Sequence, residues 1–141
     1  MPQLELTSSC HYFINIIIRK AYQFTNLLYK HSSDGAFARD FGLRDQMRRA
    51  SVSIMSNIAE GFESQTQSMF IQYLGRAKGS AGEVRAQLYI AREQDYITVD
   101  EFQSMYSLAE ICSKQLAKFI QYLESQPNAR RVREEEVSYD V

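Results

Sequence analysis

The chain has little of what interrupts a long helix: two prolines and six glycines among 141 residues, and no tryptophan. So few breakers leave room for uninterrupted helices of about 20 residues or more. Its longest apolar run near the N-terminus is Ile16-Ile17-Ile18, far short of a membrane span. Residues 1–9 carry neither a basic stretch nor a long apolar one, so a secretory signal is not expected and the cytoplasm is the expected location. Charge of one sign is lacking too. Sixteen Lys and Arg against 17 Asp and Glu give a net charge of −1, so nucleic acid or an acidic membrane could be held only by a local patch. The two cysteines, Cys10 and Cys112, are far apart, and neither belongs to a C-x-x-C pair. Both fall on apolar helical positions, so buried free thiols are expected; a bridge would need the two helix ends to meet.

The scarcity of histidine bears on chemistry. A di-iron carboxylate bundle needs Glu-x-x-His on two helices and glutamates from two more. His11 and His31 have no glutamate three residues before them, and the apolar stripes carry no carboxylate. Neither a metal nor another cofactor is expected. Cys112 has no histidine beside it in the sequence, and no paired acid–base geometry follows from Glu60 and Glu83, so a nucleophilic or acid–base enzyme is not expected either. No small-molecule substrate is predicted. Ser51 after Arg48-Arg49-Ala50 is only a weak match to a basic-directed phosphorylation site.

What the chain does have is periodicity. Cys10, Ile14, Ile17, Ala21, Phe24 and Leu28 alternate at spacings of four and three, as do Leu43, Met47, Ala50, Ile54 and Ile58. Phe70, Leu74, Ala77, Ala81, Val84, Leu88 and Ala91 form a third stripe, and Phe102, Met105, Ala109, Cys112, Leu116, Phe119 and Leu123 a fourth. Four such stripes predict four helices at about 9–31, 42–61, 65–94 and 98–125, packed as an all-α, antiparallel up-down-up-down four-helix bundle. No comparable period-two alternation predicts a sheet. His31-Ser-Ser-Asp-Gly35 should open a loop running to about Gly42, and Gly61 should close the second helix. Ser64-x-x-Gln67 and Thr98-x-x-Glu101 read as capping boxes, and Pro127 as a stop. Residues 126–141, with Arg130-Arg131 and Arg133 before three glutamates, read as a charged tail.

Gly75, Gly79 and Gly82 lie inside the third helix, each costing about 1 kcal/mol relative to alanine. They predict close approach by another helix, from this chain or a neighbouring copy. Off-stripe apolar residues, among them Phe13, Ile16, Leu27, Tyr73, Tyr89, Tyr106, Ile111 and Ile120, either widen the core or predict a second buried surface made by self-association. A basic row is the remaining feature. Arg44 and Arg48 lie four apart on the second helix, and Lys78, Arg85 and Arg92 recur every seven residues on the third. If those helices pack antiparallel, the rows would edge one face that could bind phosphates; a solvated flank is the simpler alternative, and Asp45, Glu60 and Glu83 dilute the patch.

The strings LRDQMRRASVSIMSNIAEGFE and FIQYLGRAKGSAGEVRAQL resemble the four helix bundle protein family, also called the S23 or 23S rRNA intervening-sequence protein family. The residues that carry the resemblance include Arg48, Arg49, Ala50, Ser53, Asn57, Glu60, Gly61, Phe70, Gly79, Ser80, Glu83 and Gln87. It covers about residues 10–125, with Met55 where the family usually has proline. The resemblance implies a bacterial four-helix bundle assembling into a homopentamer, with some genes lying inside 23S rRNA genes, and no assigned activity. The leading expectation is therefore a non-enzymatic oligomeric scaffold that binds RNA or a ribonucleoprotein through Arg44, Arg48, Arg49, Lys78 and Arg85. Ser53, Asn57, Glu60, Gly79, Ser80 and Glu83 would be its polar motif residues. The alternative is a purely structural or protein-interaction module that binds no nucleic acid.

Overall fold

The apolar stripes become buried faces. The computed structural model describes residues 8–126, with side chains from residue 12 onward. Among the described residues there are five helices and no strand: α1 (Ser8–His31), α2 (Gly35–Arg39), α3 (Phe41–Glu63), α4 (Gln67–Glu93) and α5 (Val99–Glu124). The side chains of Cys10 and His11, and the tail from residue 127, lie outside the described residues. No described helix is long and apolar enough to cross a membrane.

Every stripe residue from Ile14 onward is buried except Leu43, which is partly buried. Such burial contributes about 25 cal/mol for each Å² of apolar surface removed from water, and it is the main force holding the helices together. α3 packs against α4, α4 against α5, α5 against α1 and α1 against α3. Contacts join a late residue of one helix to an early residue of the helix packed on it: Gly61 with Phe70, Phe119 with Phe70, Tyr89 with Phe102, and His31 with Glu101. Phe13, Leu27, Tyr106 and Ile120, all off the stripes, pack against the core and widen it. Cys112 is a free thiol, and burial pushes its pKa up to about 12. It is therefore protonated and inert at neutral pH.

Three expectations about punctuation are corrected. The loop after His31 contains α2, a single turn held by burial of Phe37, which stacks on Tyr96 at 5.4 Å. Tyr96 donates to Asp40 Oδ2 at 2.9 Å, while Asp40 Oδ1 accepts from the Leu43 N–H and caps α3. That hydrogen bond, and burial, raise the Tyr96 pKa. Gly61 does not end α3, which runs two residues further to Ser64 as C-cap. It is instead a packing position: a Cβ there would lie 2.8 Å from Phe70 Cδ2 and 3.2 Å from Tyr73 Cβ. Ser64 and Gln67 form no capping box, because Thr66 is the N-cap of α4 and accepts from the Met69 N–H. The Thr98–Glu101 capping box is formed as expected.

Gly61→Ala should destabilise the fold by about 1–3 kcal/mol despite alanine's better helix propensity. Phe70 has no room to move, being flanked by the rings of Phe62 and Phe119; an unchanged denaturation midpoint would contradict this. Glu101 gives a pH dependence. Burial works to raise its pKa, but hydrogen bonds from Thr98 and the nearby His31, 2.5 Å away, hold it below the ordinary glutamate value. A depressed carboxyl stabilises the fold above its unfolded pKa and loses that contribution as pH falls through the folded one. Melting temperature should therefore fall more steeply below the ordinary glutamate pKa in the wild type than in Glu101→Gln, and parallel curves would refute the assignment.

Candidate functional site on the outward face of α3 and α4

Because Met47, Ala50, Ile54 and Ile58 turn α3 toward the core, helical spacing places Arg49, Val52, Ser53, Ser56 and Glu60 away from it. These residues, with Asp45, Asn57, Arg48 and Tyr29, line an open groove of about 680 Å³. Ser53 reaches across to α4, where its Oγ lies 2.9 Å from Ser80 Oγ. Asn57 Nδ2 donates back to the Ser53 carbonyl at 2.8 Å and to Ser53 Oγ at 2.9 Å. The motif residues Ser53, Asn57 and Ser80 thus form one hydrogen-bonded seam between the two helices, with Glu60 exposed on the same side of α3.

On α4 the seam continues through Glu83, which accepts from Gln87 Nε2 at 3.3 Å. Gln87 is only 7 % exposed, and its Oε1 has no partner among the described residues. Gly79 presents bare backbone, with nothing within 4 Å of where a Cβ would stand. Gly75 is equally open, and a Cβ at Gly82 would meet only Arg85 Nη2, at 3.8 Å. Among the described residues, no other helix approaches these glycines. The expectation of close approach within the chain is thereby corrected, since the core side of α4 is occupied by Ala77, Ala81 and Val84 instead.

The basic residues do not share a face. Arg48 turns toward α1: its Nε donates to Ser32 Oγ at 2.9 Å, its Nη2 to the Ser32 carbonyl at 3.2 Å, and its guanidinium lies 4.4 Å from the Tyr29 ring centre. Arg44 donates to the Ala38 carbonyl at 2.9 Å, pairs with Asp45 and stacks over Phe41. Both arginines close helix C-termini, where the unsatisfied carbonyls and the negative end of the dipole favour a cation. Lys78 and Arg85 share the heptad position of Arg92, which lies 4.4 Å from the ring centre of Phe102 on α5. The two rows therefore run along opposite edges of the α3–α4 pair. Among the described residues, Arg49, Lys78, Arg85 and Arg92 have no carboxylate at ion-pairing distance.

Tyr29, Val52 and Ser56 belong to the groove without standing out in the sequence. Val52 and Ser56 were accessible to helical spacing, as neighbours of Arg49 and Glu60 on the outward side. Tyr29 and Ser32 carry no local signal, since their meeting with Arg48 depends on how α1 docks. Ser51 is buried and donates to the Arg48 carbonyl at 2.8 Å, so it offers no modification site. No group of three or more metal-ligating side chains occurs among the described residues. Hydroxyls, an amide and isolated charges make this face a hydrogen-bonding surface.

Residues 15–118 match the family described as 23S rRNA-intervening sequence protein, and the chain belongs to that family. A solved structure at 1.70 Å, of a protein with unknown function from the S23 ribosomal protein family of Bacteroides thetaiotaomicron VPI-5482, is similar with a TM-score of 0.71. It is 24 % identical, and the match covers 77 % of this chain and 98 % of that one, a likeness of fold. No curated protein matches.

Arg48→Ala separates a structural arginine from a ligand-binding one. It should lower stability by about 1–3 kcal/mol through the lost bonds to Ser32 and the lost packing on Tyr29. Arg49→Ala, on the adjacent exposed position, should stay within about 0.5 kcal/mol of wild type. Equal denaturation midpoints for the two variants would contradict the assignment.

Proposed function

We propose that this member of the 23S rRNA-intervening sequence family is a non-enzymatic scaffold subunit, an up-down-up-down bundle that associates with further copies through the outward α3–α4 face. The helix order is supported by the end-to-end contact pairs that join α3 with α4, α4 with α5 and α5 with α1. One observation carries the assembly reading. The Ser53–Ser80 contact joins the groove on α3 to α4, and on α4 the adjacent residue, Gly79, is bare helix backbone that no described residue approaches. A glycine inside a helix costs about 1 kcal/mol, and one that no described residue of the chain approaches is accounted for by close approach of a second molecule. A cytoplasmic homopentamer, as the resemblance implies, is the assembly this reading adopts.

RNA or a ribonucleoprotein is the partner we assign to the scaffold. What favours it over a module without nucleic acid is the pair Lys78 and Arg85 on one edge of α4, which have no carboxylate at ion-pairing distance among the described residues. Arg49 lines the groove on α3 and leaves this set. Arg44 and Arg48 drop out of the contact set because their guanidiniums are spent on helix ends. A chain of net charge −1 must bind phosphates through such a local set, so the affinity should fall steeply with salt.

Multi-angle light scattering tests both parts. Gly79→Leu should retain the helical circular dichroism of the wild type yet lose assembly, giving a smaller mass at the same concentration. Wild-type mass should rise with a 23S rRNA fragment and fall back as salt is added. An unchanged mass for Gly79→Leu would sink the assembly reading, and indifference to RNA at low salt would sink the partner.

A further inference from the structure

The flank of α4 that faces away from α3 carries a different kind of surface. Tyr89 is 47 % exposed there. The Tyr89 ring is held from behind by Phe102 at 5.0 Å and Tyr106 at 5.6 Å, centre to centre. Interaction with the Tyr106 hydroxyl raises the Tyr89 pKa. The Arg92 guanidinium lies 5.0 Å from the Tyr89 ring centre and 4.4 Å from that of Phe102. A half-exposed aromatic ring with a guanidinium beside it forms an aromatic platform at the meeting of α4 and α5.

Two further features lead away from this platform along α4. Gly75 and Gly82 stand fourteen and seven residues before Tyr89, on the same helical stripe, and leave the backbone low there apart from the Arg85 side chain over Gly82. Lys78, Arg85 and Arg92 run beside that stripe at intervals of seven residues, about 10 Å each along the axis. Arg85 lies back over Gly82, and its Nε is buried with no hydrogen-bond partner among the described residues. Its terminal nitrogens make no hydrogen bond among the described residues. Glu110, which acts on Tyr89, is engaged by Lys114 at 3.0 Å, while Glu93 stands exposed one turn after Tyr89 on α4.

A row of cations with no ion-pair partner among the described residues, beside a low glycine strip and ending on an exposed aromatic platform, has the chemistry of a single-stranded nucleic-acid site. Phosphates meet the cations, and an unstacked base meets the π-face. A duplex would hide its bases from Tyr89 and reach only the cations. We propose that the α4–α5 flank binds a single strand of RNA, with a base stacked on the Tyr89–Arg92 platform and the backbone running along Arg85 and Lys78. This rests on the RNA-binding reading above and names the form of RNA and the residues that distinguish it. The Tyr89–Arg92 platform lies on the α5 side of α4, away from the groove on α3. The strip of Gly75 and Gly82, however, shares its helix face with Gly79, so RNA along the strip and a second copy at Gly79 would compete.

Fluorescence anisotropy of the full-length chain tests this, using a labelled oligouridylate about 12 nucleotides long and an RNA duplex of matched length. The wild type should bind the single strand more tightly than the duplex. Tyr89→Leu should weaken single-strand binding by roughly fivefold or more, while Tyr89→Phe, which keeps the ring, should bind like wild type. Arg85→Gln should make the salt dependence shallower, by about 0.7 in the log–log slope. If Arg85→Gln weakens binding and Tyr89→Leu does not, stacking is overturned while RNA binding stands. If the wild type binds neither form at low salt, both readings fail together. A changed mass for Tyr89→Leu in light scattering would make the flank an interface between copies and overturn the proposal. Photo-crosslinking of wild-type protein to a 4-thiouridine strand gives a check that needs no variant: a crosslink at Tyr89 is expected, and crosslinks confined to other helices would refute it.

Discussion

The missing side chain at Gly61 is the constraint on which the packing of this bundle turns. Phe70 occupies the space that a Cβ on α3 would fill, and the same ring meets Phe119 of α5 edge-on at 5.6 Å. One side chain of α4 thereby fixes its distance to both neighbours. Further along, Ala77, Ala81 and Ala91 keep the core side of α4 thin, so helices can approach closely without leaving voids. With that side settled, the residues left over on α4 point outward, and they are what can act on other molecules.

Burial of apolar stripes accounts for the fold, while polar contacts tie down its ends. Arg48 on Ser32, Asp40 between Tyr96 and Leu43, and Glu101 between Thr98 and His31 all lie where one helix ends and another begins. Each satisfies backbone or charge at a terminus that would otherwise be left to water. Arginines assigned to such tasks are not available to a ligand. This is why counting basic residues on helices overstates the capacity of the chain for phosphate.

The long helices were legible in the sequence because spacings of three and four report directly on a buried face. The Thr98–Glu101 box was legible because both of its hydrogen bonds lie within four residues. What was not legible depends on tertiary contact. α2 exists because Phe37 finds Tyr96, 59 positions away in the chain. Gly61 looked like a stop because glycine so often ends helices, and only the position of Phe70 shows it to be a packing residue. The polar motif residues stood out as a set of positions, yet their union across α3 and α4 became visible only with the 2.9 Å contact of Ser53 and Ser80. The basic rows misled for a geometric reason: positions just beside the core stripe of α3 face α1, whereas the corresponding positions of α4 face α5.

Whether the outward α3–α4 face docks a second copy or is a solvated flank decides how the molecule works. Carbodiimide labelling of carboxylates, read by mass spectrometry across a range of protein concentrations, addresses it directly. Glu60 and Glu83 are exposed on that face, and Glu124 is exposed at the far end of α5. If the face docks, labelling of Glu60 and Glu83 falls as the chain assembles while that of Glu124 does not change. Equal labelling of all three at every concentration would contradict it.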